Sequence, residues 1–130
     1  METLLANRFR ALGTELGLTK CRTRRVGQIT ELYLHGRHAL QMEIDWRENE
    51  LFVYAVRLCD GKLPGPDVVY RYRDGSMCRT FLEEVYHAKR PLQPTRREEH
   101  LLRCLEFYES LIHRDSGVLL QFFGSLEEMR

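Results

Sequence analysis

Between residues 3 and 58 the spacing of apolar positions changes several times, and each change marks an element. Leu5, Phe9, Leu12 and Leu16 are separated by four, three and four residues, the stripe of an amphipathic helix, and Gly17 follows where helices commonly end in the left-handed conformation. The spacing predicts a helix over 3–16. The next stretch, "TKCRTRRVGQ", has no period and four basic residues, so it is expected to be a loop leading into a strand at 29–35, in which Leu32 and Leu34 share a face. "HGRH" then places Gly36-Arg37 between two strand-like runs, as a type II′ hairpin turn requires. In the strand that follows, Leu40, Met42, Ile44 and Trp46 alternate with Gln41, Glu43 and Asp45, the pattern of a sheet with one buried and one wet face. "RENE" makes the next turn, and "LFVYAVRL" at 51–58 is apolar on both faces for most of its length, which predicts a central strand.

The second half is read with the same two periods. "CDGKLPGPD" is dense in glycine and proline and must be a loop, and "VVYRYR" gives a fourth strand at 68–73. Met77, Phe81 and Val85, with Leu82 and Tyr86 beside them, predict a helix over 77–88. Pro91 and Pro94 end it. Thr95 and Glu98 have the spacing of a capping box, opening a long helix whose stripe is Leu101, Leu105, Tyr108 and Ile112, widened by Leu102, Cys104 and Leu111. The tail "VLLQFFGSLEEMR" is apolar enough to dock on the core. The expected whole is one α+β domain over 1–130: an N-terminal helix, a four-stranded antiparallel meander, two C-terminal helices and a short docked tail.

Composition narrows the function by exclusion. The 130 residues are 43% hydrophobic and 30% charged, a balance suited to a single core. Twenty Lys and Arg against nineteen Asp and Glu leave a formal charge of +1, so no overall field recommends nucleic acid or an anionic membrane. No apolar run reaches the roughly 18 residues of a membrane span, and a charged N-terminus argues against a signal peptide, so a cytoplasmic protein is expected. Cys21, Cys59, Cys78 and Cys104 form no C-x-x-C pair and read as reduced thiols.

The candidate chemistry is thin. Glu43 and Asp45 project from one strand face about 7 Å apart, a separation a hydrolase can use, but an alternating strand carries two acids on its wet face without any chemistry. His35 and His38 flank a turn and make half of a metal site at most, and His87, His100 and His113 match no ligand motif, so neither metal nor cofactor is expected. Cys104 lies in a helix stripe and is most simply core, while Cys78 sits in the first turn of a predicted helix. Ser116 lacks the glycines of a nucleophile elbow, and "DGKLPGP" lacks the strand-loop-helix setting of a phosphate loop. These absences favour a non-enzymatic domain that binds a protein partner, with two candidate surfaces: the acids Glu43, Asp45, Glu48 and Glu50, and the basic run around Arg24 and Arg25.

The succession of helix, meander and C-terminal helices, carried by "LQMEIDWRENELFVYAVRL", "DGKLP" and the closing "RDSGVLLQFFGSLEEMR", resembles the layout of the small immunity proteins of bacterial polymorphic and contact-dependent toxin systems. The resemblance implies a stoichiometric inhibitor that occludes its cognate toxin, and carries over no residue. Such proteins are often acidic when they neutralise nucleases, and this chain is not. "LLANRFRALGTELGL" followed by a strand pair with "MEID" also resembles the dimeric type III secretion chaperones, which usually insert a helix after three strands. A small hydrolase or thiol enzyme is the second alternative.

Overall fold

The computed structural model describes residues 1–58, 61–63, 79–90 and 97–128, the side chains of 97, 98 and 125–128 excepted. Helix α1 spans Glu2–Glu15, close to the predicted bounds, and buries Leu5, Phe9 and Leu12. It ends in a Schellman arrangement: Gly17 N–H donates to Thr14 O and Leu18 N–H to Gly13 O, with Gly17 at φ +76°.

The stretch expected to be a loop is instead a strand. β1 (Lys20–Val26) pairs antiparallel with β2 (Ile29–His35) over seven residues. It escaped the periodicity because nearly all of its residues are exposed, so neither face is marked by apolar side chains. The two-residue turn between them has Gly27 at φ +59° in its first position. The type II′ chemistry expected at Gly36-Arg37 is not found there, because His35 pairs with Ala39 across a three-residue loop. Gly36 is needed for space: a Cβ on it would stand 2.9 Å from Gly17 O.

β3 (Ala39–Asp45) and β4 (Glu50–Val56) continue the meander, and β5 (Arg79–Phe81) adds a short fifth strand beside Tyr54–Val56. Among the described residues the sheet order is β1-β2-β3-β4-β5, which makes β3 central and β4 the next strand out. β4 is nonetheless buried on both sides, which is why its sequence has the pattern of a central strand. The fourth strand expected at 68–73 and the Thr95 and Glu98 side chains of the expected capping box lie outside the described residues.

Of the helix expected over 77–88, the described residues 79–88 keep only α2 (Leu82–Val85). Phe81 is extended, with φ −55° and ψ 134°, because it joins an aromatic cluster on one face of the sheet while Leu82 and Val85 enter the core on the other. α3 (Arg97–Arg114) buries Leu101, Cys104, Leu105, Tyr108, Leu111 and Ile112, and the apolar tail forms α4 (Ser116–Glu128), docked through Leu119 and Phe123. α1, α3 and α4 all pack on the side carrying Leu32, Leu34, Leu40, Met42, Ile44, Leu51 and Val53. No described helix is long and apolar enough to cross a membrane.

Candidate functional site

Strand alternation sends most polar residues of β2 to β5 to the face opposite the helices, and away from the outer strand β1 that face is not wet. Gln41 is 1% exposed, Glu31 6% and Tyr33 7%. Buried polar groups must be paired, and these are linked across the whole sheet. Arg24 of β1 donates to Glu31 of β2 at 2.8 Å, and Glu31 also accepts from Tyr33 OH at 2.6 Å and from Gln41 Nε2 at 3.2 Å. Arg79 of β5 reaches back over β4 to Gln41 Oε1 at 3.2 Å and Glu43 Oε1 at 3.5 Å, and Tyr54 OH donates to Glu43 at 3.1 Å. The Arg79 guanidinium lies 4.3 Å from the Tyr54 ring centroid, and Arg22 lies 4.8 Å from that of Tyr33. Burial and the Glu31 carboxylate push the Tyr33 phenol well above its ordinary pKa, and the hydrogen bond to Glu31 raises Arg24. Tyr33 and Arg24 therefore stay protonated at neutral pH, and the network as a whole ties the strands in one register.

The acids expected to form one exposed patch are therefore dispersed. Glu43 belongs to the buried network, its side chain 17% exposed. Asp45 caps the β3–β4 turn, accepting from the amides of Arg47 and Glu48 at 3.1 Å each. Glu50, at the start of β4, accepts from Arg90 and lies 3.1 Å from His100 Nε2. Glu48 is exposed. The reason is register: Glu43 and Asp45 do share a face, but residues from β1, β4 and β5 close over that face.

The basic residues stay on the surface. β1 is an outer strand, and Lys20, Arg22 and Arg25 are exposed while Arg24 is half-buried against Glu31. Arg25 stands on the opposite face to Arg24, 4.0 Å from Glu2 of α1. Beside it a cavity of about 230 Å³ opens between α1 and the sheet, with an apolar floor of Leu32, Met42 and Ile44 and a polar rim that includes Glu2, Arg10 and Thr23. Sequence reading found the basic run but not its strand geometry, and it missed the cavity, which depends on where α1 crosses the sheet.

No arrangement of nucleophile, base and orienting group emerges among the described residues. Cys104 is buried and its thiol is pushed up by that burial, with Arg90 opposing the shift. His100 uses the same nitrogen, Nε2, toward both Cys104 Sγ and Glu50, whereas a relay needs one nitrogen for each neighbour. No family model, curated protein or solved structure matches the chain.

Proposed function

We propose that the chain is a non-enzymatic protein-binding domain of the toxin-neutralising immunity kind, and that it docks an acidic segment of its partner along β1. The observation that carries this reading is β1 itself, a seven-residue strand paired along its full length to β2, outermost in the sheet among the described residues, exposed, and carrying four basic residues. The outer edge of a regular strand is a template for one more strand, and backbone hydrogen bonds supply affinity there while side chains supply choice. Lys20, Arg22, Arg24 and Arg25 repel a second copy of the same edge and favour acidic side chains. The cavity beside β1 offers a seat for one apolar anchor from the same partner.

A type III secretion chaperone is supported less well, because β1 to β4 run without an intervening helix. The test is co-expression with the toxin domain that this reading expects to be encoded upstream of this chain. Protection of the cell, a complex on size exclusion, and its loss in Lys20→Glu/Arg25→Glu with the fold intact are the expected results; absence of both protection and complex overturns the proposal. A complex that survives the double reversal at unchanged affinity and salt dependence moves the interface away from β1.

A further inference from the structure

At the opposite side of the sheet from β1, three side chains of different chemistry converge. β4 pairs with β5 over Tyr54–Val56, and the start of β4 is met by α3 and by the segment after α2. His100 and Cys104 are four residues apart and so share one face of α3, turned toward Glu50. A carboxylate oxygen, an imidazole nitrogen and a thiol sulfur lie within 4.8 Å of one another. His100 Nε2 is 3.1 Å from Glu50 Oε1 and 3.6 Å from Cys104 Sγ. Two donors on a tetrahedral zinc with bonds of about 2.0–2.3 Å stand roughly 3.3–3.6 Å apart, so the two His100 distances are near that spacing and Glu50 and Cys104, within 4.8 Å of each other, need only a side-chain adjustment to reach it. The single imidazole nitrogen facing both neighbours, which defeats a catalytic relay, is what a shared metal requires.

A cation already occupies this cluster. The Arg90 guanidinium donates to Glu50 and, at 2.6 Å, to Cys104 Sγ, while its other side lies 4.5 Å from the Phe52 ring centroid. Its side chain is 9% exposed, and its Nε is buried with no hydrogen-bond partner among the described residues. The place therefore selects positive charge but satisfies this one incompletely. Arg90 follows α2 in a non-helical segment, so its withdrawal breaks no helix.

We infer that Glu50, His100 and Cys104 bind one zinc ion, with Arg90 holding the site in its place until the metal arrives. Cysteine with histidine selects a borderline or soft divalent ion over magnesium or calcium. On binding, the Cys104 S–H proton passes to solvent, a sulfur–metal bond forms, Arg90 gives up its two acceptors, and solvent takes the fourth position. No oxidation or reduction is involved. The site is independent of β1, so the two proposals fail separately.

The experiment is titration of the full chain with Co2+ as a spectroscopic stand-in, followed by competition with Zn2+. One equivalent is expected to give a thiolate-to-cobalt charge-transfer band that zinc abolishes. Since losing even an outer-shell partner typically weakens metal binding by about 10–100-fold, Cys104→Ser and His100→Gln are each expected to cost at least that much. Cys21→Ser leaves the band, because Cys21 is exposed on β1. Arg90→Ala keeps all three ligands and keeps the band, with zinc bound more tightly. A wild-type protein without the band, a band that survives Cys104→Ser, or one lost in Arg90→Ala overturns the inference. The wild-type and Arg90→Ala arms require no ligand to be removed, so misfolding of a ligand variant does not protect it.

Discussion

The two faces of the sheet are buried to a similar depth by opposite means. On the helix side Leu32, Leu34, Met42 and Val53 meet α1, α3 and α4 in a mainly apolar contact, with Thr30 hydrogen-bonded to Glu2 of α1 at its margin. On the other side Glu31, Tyr33, Gln41, Glu43, Tyr54 and Arg79 are also shielded, and hydrogen bonds, an ion pair and a cation over a ring link them, beside the aromatic cluster of Phe52, Tyr54 and Phe81. An apolar face gains from burial itself and tolerates imperfect fit, whereas a polar face is held to one arrangement because any unpaired member is costly. The helix side supplies stability and the far side fixes register.

That contrast can be broken by experiment. Leu105, fully buried under the helices, is expected to cost about 2–5 kcal/mol when cut to alanine, with an unchanged urea slope. Glu31→Leu fills the same space with apolar atoms but leaves Arg24, Tyr33 and Gln41 without their shared acceptor, and a loss of about 2–3 kcal/mol is expected by urea unfolding. If Glu31→Leu were neutral or stabilising, the far face would be merely apolar in waiting and the distinction would fall. Asp45→Ala removes the acceptor for two turn amides and should cost about 1 kcal/mol, read as a small drop in Tm.

The smallest effect concerns pH. Burial lowers the pKa of His35, and Lys20 and Arg22 across the β1–β2 pair lower it further. In the window between that lowered value and the ordinary one near 6.5 the unfolded chain binds more protons, so stability rises with pH there and is lost on acidification. The Tm of the wild type is therefore expected to fall slightly below about pH 6.5 relative to His35→Gln, and equal slopes in the two proteins would contradict it.

Which parts of the molecule were legible follows from the same two faces. α1, β2, β3, β4 and α3 each put apolar residues on the helix side at a regular period, and each was found within a few residues of its place. β1 has no buried face to impose a period, and Phe81 breaks a helical spacing because it serves the far side while Leu82 serves the near one. The acids were legible as a set with one orientation, but not their partners, since Arg79 is 36 residues from Glu43 and Arg90 is 40 from Glu50. The four-residue interval from His100 to Cys104 and the acid at Glu50 both stood in the sequence; that folding brings Glu50 to His100 across fifty residues did not.

The meander also sets a timetable. β1 to β4 pair in chain order across loops of 27–28, 36–38 and 46–49, so three hairpins can close locally as soon as they are made, each in microseconds. Arg8 of α1, by contrast, is held by Glu109 of α3, 101 residues later. At translation rates of about 5–20 residues per second, the stretch from the end of β4 at Val56 to Glu109 takes roughly 3–10 seconds, during which α1 waits beside a nearly complete sheet for the helix that finishes its cover. During synthesis the stripe of Leu5, Phe9 and Leu12 is therefore the surface most in need of a temporary companion.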